Sequence, residues 1–211
     1  MKAPSTIAAP LAPPAEVSSP APSMPAAPRL PLKARLLAFL LIAGVGLTAD
    51  LLTKSWSFER LGYDPSQDRI WIVEDYLSLE TTLNEGALFG RGSGYSRVFA
   101  MLSIVAGVGI VYWLFVAGAA RDRLLTYALG GISGGILGNL YDRLGVPGLI
   151  WNLPGANHEA GQPVYAVRDW IHFQTPWFDW PIFNIADCLL VVGAGLLLWH
   201  AFRAENKPVR A

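Results

Sequence analysis

The chain has 211 residues, of which 53% are hydrophobic and only 15% are charged, whereas roughly a quarter of the residues in an ordinary soluble domain are charged. Its 16 basic and 16 acidic side chains cancel, so the protein has no net positive field to hold a nucleic acid. This composition predicts a membrane protein without a nucleic-acid partner.

The first 31 residues contain nine prolines among alanines and serines and no aromatic residue that could anchor a core. Such a segment cannot bury enough apolar surface to fold by itself. We therefore expect a disordered tail over residues 1–34, a membrane domain over residues 35–205 and a short C-terminal tail over residues 206–211.

Four apolar stretches are long enough to cross about 30 Å of hydrocarbon as helices. They predict a membrane all-α fold with four transmembrane helices: Leu36–Thr53, Val98–Ala120, Leu124–Tyr141 and Ile182–Phe202.

The connections between these stretches predict the topology. Only Arg121–Arg123 joins the second and third helices, while the other two connections are roughly 40 residues long and must share the opposite face. Basic residues flank the first helix, fill the short connection and follow the last helix. By the positive-inside rule this face is cytoplasmic, so both termini are expected in the cytoplasm and both long connections outside.

Two segments of the long connections alternate with a period near two, which is typical of strands. One runs from Asp75 to Leu83, and the other from Pro163 to Phe173, where Asp169 lies on the same side as apolar neighbours. They predict a small sheet outside the membrane. The Gly- and Pro-rich residues 144–162 are expected to form a loop at the membrane surface that acts as a lid or flank over the cleft. Its replacement by a short turn is then expected to change turnover more than stability.

Three polar pairs lie near the outer ends of the helices, each with a spacing that places both members on one helix face. An ionisable group in a bilayer is costly unless it meets a partner or a wet cavity, so the pairs predict one shared polar site. The alternative is that they only snorkel to the headgroups or join the helices. The pairs are Asp50 with Lys54, Asn139 with Asp142, and Asn184 with Asp187.

Two carboxyl groups can divide the roles of general base and general acid if repulsion leaves one protonated. Asp169 and Asp187 are the best pair, because the connection between them can fold back and bring them together. Asp142 is followed by Arg143, and Lys54 is expected close to it and to Asp50, so both other carboxylates are interpreted as scaffold.

Five segments in chain order resemble the motifs of the lipoprotein signal peptidases (signal peptidase II). The resemblance spans about residues 36–203 and implies an intramembrane aspartyl protease with four helices, a small extracytoplasmic β-cradle and the catalytic pair Asp169 and Asp187. The segments are Asp50–Lys54, Asn84–Gly90, Gly134–Arg143, Val167–Ile171 and Phe183–Asp187.

The same resemblance implies the substrate and the location. The substrate is a bacterial prolipoprotein whose cysteine carries a diacylglyceryl group, and cleavage occurs on the amino side of that cysteine. The enzyme would lie in the bacterial inner membrane, surrounded by membrane lipid, with its active site near the extracytoplasmic face. Separately from the resemblance, we expect a monomer. The resemblance assigns support of substrate and dyad to Asp50, Lys54, Asn84, Gly86, Asn139, Asp142, Arg143 and Asn184.

The resemblance implies no metal and no cofactor, and one cysteine with three scattered histidines gives no zinc-ligand spacing. Trp170 and Cys188 stand where the family usually has a phenylalanine and a small hydroxyl residue, and the stretch between Arg143 and Asp169 is longer than expected. His172 is interpreted as an interfacial hydrogen-bonding residue.

The sequence alone leaves two other functions open. A small proton-coupled carrier could use the same carboxylates as a relay, but a relay needs ionisable groups that continue towards the inner face, and the inner halves of the second and third helices have none. A non-enzymatic assembly factor would tolerate the loss of both aspartates.

Overall fold

A computed structural model describes residues 31–63, 69–86, 92 and 94–205. The predicted tails therefore lie outside the described residues, apart from the last few positions before residue 35. The described residues form eight principal elements: α1 (Leu32–Leu61), β1 (Ile70–Val73), β2 (Leu77–Asn84), α2 (Ser96–Val111), α3 (Arg123–Arg143), β3 (Val167–Thr175), β4 (Phe178–Asp179) and α4 (Ile185–Glu205).

Three of the described helices are long and apolar enough to cross a membrane: α1, α2 with its continuation to Val116, and α4. The helix α3 has 21 residues but does not reach the same hydropathy, because five glycines and the polar residues at its ends replace large apolar side chains. Long apolar helices with a small antiparallel sheet are the architecture of a membrane protein.

The helix α3 packs against α1, α2 and α4. Its glycines allow this close approach. A Cβ atom at Gly134 would lie 2.9 Å from the Ala43 carbonyl oxygen of α1, and one at Gly135 would lie 2.6 Å from the Ala186 carbonyl oxygen of α4. These two glycines therefore set the spacing of the central helices.

Several helix ends differ from the sequence prediction, and for two of them the physical cause is visible. The first helix continues two turns past Thr53, because Lys54 has buried partners and does not need to reach water. The second helix changes to a π-turn at Tyr112–Val116 and then stops, because Gly118 adopts a left-handed conformation with φ of 84°.

The four strands form one antiparallel sheet in the order β1-β2-β3-β4. The pairing of β2 with β3 places Thr82 opposite Asp169 and Asn84 opposite Val167. The strands β2 and β3 contact α1, and β3 also contacts α3. The two predicted strand segments are thus confirmed, although β2 starts two residues after Asp75 and β3 starts four residues after Pro163. Both strands lie beside the ends of the helices that carry the polar pairs.

The opposite end of the bundle has its own polar contacts. Asp122 caps α3 by accepting hydrogen bonds from Leu124 N and Leu125 N at 2.8 and 3.2 Å. His200 of α4 lies 2.7 Å from the same carboxylate. These contacts connect the start of α3 to the last turns of α4, at the end of the bundle opposite the polar pairs.

Candidate active site

Lys54 is fully buried and connects α1 to α3. Its Nζ lies 2.7 Å from Asp50 Oδ2 and 3.0 Å from Asp142 Oδ2, and it donates a hydrogen bond of 2.9 Å to Asn139 Oδ1. Asp50 Oδ1 in turn accepts a hydrogen bond of 2.8 Å from the backbone N–H of Ala186 in α4. One ammonium group therefore joins three helices through two carboxylates.

Arg168 supplies the second cation of this charged network. Its Nε donates to Asp142 Oδ1 at 2.8 Å, and its backbone N–H donates to Asp142 Oδ2 at 3.2 Å. The sequence interpretation paired Asp142 with Arg143 and missed Arg168. Strand alternation could have indicated it, since the residue before Asp169 on β3 must point to the other face of the strand.

Asp169 is almost fully buried, with 1% of its surface exposed. Its Oδ1 accepts a hydrogen bond of 2.5 Å from Asn184 Nδ2, and its Oδ2 accepts one of 3.1 Å from Asn84 Nδ2. Burial, and then the negative charge of Asp187, raise the pKa of the Asp169 carboxyl group to about 8. Asp169 is therefore protonated at neutral pH.

Asp187 lies in the first turn of α4, where a helix N-terminus interacts favourably with negative charge. Asp187 N donates to Asn184 Oδ1 at 2.9 Å, and Asn184 N donates to Asp187 Oδ2 at 3.2 Å. This reciprocal pair is a capping box. The other oxygen, Oδ1, accepts a hydrogen bond of 3.0 Å from Asn139 Nδ2.

Two asparagine side chains connect the carboxyl pair to the charged network. Asn184 Nδ2 lies 3.2 Å from Asn139 Oδ1 as well as 2.5 Å from Asp169 Oδ1. Asn139 Oδ1 also accepts from Lys54. The positions of both carboxyl groups thus depend on the same buried hydrogen-bond network.

Arg143 lies on the outer wall of the site. Its Nη2 donates to the Gly86 carbonyl oxygen at 3.1 Å, and its guanidinium lies 5.6 Å from the centre of the Phe99 ring. Gly86 N in turn donates to Asn84 Oδ1 at 3.0 Å. The Nε of Arg143 is buried and has no hydrogen-bond partner among the described residues.

A cavity of about 530 Å³ opens beside the carboxyl pair. Asp169, Asp187, Asn139 and Arg143 line its polar part. The rest of its wall is largely apolar. Most of it comes from α4 and the segment before it, including Pro181, Ile182, Phe183, Leu190 and Val191. The site therefore combines a pair of carboxyl groups with room for a large apolar group.

The structure brings every site residue selected from the sequence into this region, through direct hydrogen bonds, ion pairs or the cavity wall. They are Asp50, Lys54, Asn84, Gly86, Asn139, Asp142, Arg143, Asp169, Asn184 and Asp187.

The histidine and the cysteine near the site have other contacts. His172 lies within hydrogen-bonding distance of Glu80 and Asp179, at 2.9 and 2.6 Å, which fits its interpretation as a hydrogen-bonding residue. Asp179 is thus an exposed carboxylate that also contacts the buried ring of His172. Cys188 lines the cavity one residue after Asp187.

The chain is similar to a known family over most of its length. The sequence pattern of the family described as signal peptidase (SPase) II matches residues 42–203. The lipoprotein signal peptidase of Rhodopirellula baltica is 47% identical over 170 residues, which cover 80% of this chain and 72% of that protein. The lipoprotein signal peptidase of Ectopseudomonas mendocina is 32% identical over 179 residues, which cover 83% and 94%.

The fold is also similar to that of a solved protein. A bacterial membrane enzyme determined by the in meso method at 2.3 Å resolution matches with a TM-score of 0.65 and 24% identity, covering 86% of this chain and 98% of that one. Because the family pattern matches residues 42–203 and a lipoprotein signal peptidase is 47% identical over most of both chains, the chain belongs to the signal peptidase II family.

Proposed function

We propose that this protein is a membrane-embedded aspartyl endopeptidase that removes signal peptides from bacterial prolipoproteins. Its substrate carries a diacylglyceryl group on a cysteine, and the cut falls on the amino side of that cysteine. The observation that carries the proposal is the pair Asp169 and Asp187, held by shared asparagine amides at the polar end of an apolar cavity.

The two carboxyl groups have different roles in this mechanism. Asp187 acts as general base and takes a proton from a water molecule, which attacks the scissile carbonyl carbon. Asp169 acts as general acid and donates its proton to the carbonyl oxygen. The resulting gem-diol intermediate collapses when Asp187 gives its proton to the leaving nitrogen, Asp169 takes back a hydroxyl proton and the C–N bond breaks, which restores the starting protonation of both carboxyl groups. The buried, protonated Asp169 and the position of Asp187 at a helix N-terminus support this division.

The remaining residues of the site support substrate binding. The apolar wall of the cavity suits the acyl chains, and the buried Nε of Arg143 is a donor for a polar group of the substrate. Asp50, Lys54, Asp142 and Arg168 balance two negative with two positive charges and hold the helices together.

The membrane arrangement is part of the same proposal. The helix α3 is the fourth span, since its length matches the bilayer and its glycine faces are covered by the other helices. The sheet and the dyad lie near the extracytoplasmic face of the inner membrane, and both termini are cytoplasmic. The domain covering residues 35–205 is proposed to act as a monomer, with residues 1–34 and 206–211 as its tails. The helix α1 starts at Leu32, three residues before this boundary.

The direct test is cleavage by the purified protein in lipid nanodiscs. A fluorescent prolipoprotein peptide with a diacylglyceryl cysteine is expected to be cut before that cysteine, as read by mass spectrometry. The matched substrate without the lipid is expected to be cut poorly, because it cannot occupy the apolar cavity. Equal cleavage of both substrates, or no cleavage of either, would contradict the proposal.

A further inference from the structure

Glu85 lies between the site residues Asn84 and Gly86, and its carboxylate contacts two residues that do not belong to the site. Its Oε1 is 2.6 Å from His158 Nδ1, and its Oε2 accepts a hydrogen bond of 2.9 Å from Asn157 Nδ2. Both partners belong to the long loop between α3 and β3, more than 70 residues away in sequence. Both oxygens of one carboxylate are therefore bound by one loop.

His158 is itself held in place by the loop. Its ring stacks on Trp151 with centroids 3.5 Å apart and planes inclined by 8°. Its carbonyl oxygen accepts a hydrogen bond of 2.9 Å from Gly155 N. Further along, Trp151 N donates to Gln162 O at 2.9 Å. Contacts within the loop, independent of Glu85, thus hold the His158 ring in its orientation.

The loop is also attached to the helices. Tyr63, just after α1, donates a hydrogen bond of 3.1 Å from its hydroxyl to the carbonyl oxygen of Ile150. Ile150 forms an antiparallel bridge with Pro163 at the other end of the loop. The side chains of His158 and Glu85 are only 15% and 17% exposed, so solvent screens their interaction only in part.

The neighbours of Glu85 make the contacts that matter for catalysis. Asn84 donates to Asp169 Oδ2, and the Gly86 carbonyl oxygen accepts from Arg143. Adjacent Cα atoms are about 3.8 Å apart and joined by planar peptide groups. A displacement of Glu85 therefore moves both contacts together.

We propose that His158 is a positioning residue for the peptidase reaction. Through Glu85 it fixes the segment 84–86, and through that segment it orients the carboxyl group of Asp169 and the guanidinium of Arg143. This inference rests on the proposed function. It assigns the long loop a defined contact with the catalytic site rather than a role as a surface cover.

The first experiment compares matched histidine variants in the lipidated-substrate assay. His158→Ala is expected to lower kcat about 10-fold, because a shift of the reacting groups by a fraction of an ångström weakens alignment, while KM changes less than about 2-fold. His158→Gln keeps an amide donor for Glu85 and is expected to retain most of the activity. His200→Ala removes a similar histidine–carboxylate pair at the other end of the bundle and is expected to leave kcat unchanged.

The second experiment separates positioning from general stability. In an Asn84→Ala background the contact to Asp169 is already lost, so adding His158→Ala is expected to lower kcat only about 2-fold further. A role in stability alone would give the same factor in both backgrounds. Single-turnover rates normalised to the folded fraction keep the comparison independent of yield.

The two proposals fail in different ways. Wild-type protein that does not cleave the lipidated peptide would overturn the proposed function and this inference with it. If the wild type is active, two results would overturn only the positioning role of His158. One is a His158→Ala variant as active as the wild type, and the other is the same fold-loss of kcat from His158→Ala in the wild-type and Asn84→Ala backgrounds.

Discussion

Asp169 and Asp187 have the same chemical group in different surroundings. Asp169 is buried against two amide donors on a strand, whereas Asp187 lies half-buried in the first turn of a helix and faces the cavity. Environment alone can separate two carboxyl groups into acid and base. The proposed aspartyl mechanism therefore requires Asp169 to carry a proton when the reaction starts.

This requirement predicts a loss of activity at alkaline pH. The pKa of Asp169 is raised to about 8, so the acid is protonated below this value and loses its proton as the pH rises through it. We expect kcat to fall about tenfold per pH unit above pH 8. Far-UV circular dichroism at pH 9.5 is the control for folding, and a rate that stays constant to that pH in folded protein would be inconsistent with Asp169 as acid.

The buried ammonium of Lys54 predicts a large effect on stability. Lys54→Met leaves the carboxylates of Asp50 and Asp142 without this partner, and breaking a buried pair in this way costs about 3–5 kcal/mol. The free energy of unfolding in mixed micelles measures the effect. Lys33→Met, at an exposed position near the start of α1, is the control and should stay within about 0.5 kcal/mol of wild type. Similar values for both variants would refute the proposed role of Lys54.

At the scale of elements, the site depends on how closely α3 approaches α4. Gly135 of α3 faces the Ala186 carbonyl oxygen, directly before Asp187. The first turn of α4 therefore packs directly against Gly135, and a methyl group there would displace one of the two helices.

Gly135→Ala is expected to lower the free energy of unfolding by about 1–3 kcal/mol through overpacking and to reduce cleavage, because the added Cβ displaces the turn that holds Asp187. Gly131→Ala is the matched control, since a Cβ there meets nothing within 4 Å, and helix propensity favours alanine by about 1 kcal/mol. Unfolding measurements and cleavage rates should separate the two variants, and equal behaviour would show that the contact at Gly135 has no such role.

The sequence predicts the elements better than their ends. Long stretches rich in apolar residues predict all four helices, although α3 is less apolar than the other three. Alternation of apolar and polar residues predicts the strands that carry Asp169 and its neighbours. The sequence prediction ends the first helix too early, at Thr53. A charged Lys54 indicates a solvent-exposed position unless its partner Asp142 on α3 is known. The ion pair of Asp142 with Arg168 joins elements 26 residues apart, and such tertiary pairing has no local pattern. The same holds for the contact of His158 with Glu85.

At the scale of the whole molecule, the parallel course of α1 and α3 brings Asp50, Lys54 and Asp142 together at one end of the bundle. Asp122 and His200 meet at the other end. This polarity requires the two ends to face different sides of the membrane if the helices span it.

Reporter fusions test this arrangement. A phosphatase or fluorescent reporter inserted at Asp122, or fused after Ala211, is expected to report the cytoplasm, and one inserted at Gly155 of the long loop is expected to report the outside. Expression of each fusion by immunoblot is the control. Opposite locations for the first two reporters would exclude a four-span topology.

The most direct measurement is the single-turnover cleavage rate of a lipidated prolipoprotein peptide by wild type, Asp169→Asn, Asp187→Asn and the double variant in nanodiscs. Asparagine keeps the size of aspartate but cannot exchange its proton, so each single variant is expected to lose about 100- to 10,000-fold in rate, and the double variant should be little worse than either. Asp75→Asn is the control, because Asp75 lies in an exposed turn with φ of 60° that asparagine also adopts. Near-normal cleavage by either folded dyad variant would contradict the aspartyl mechanism.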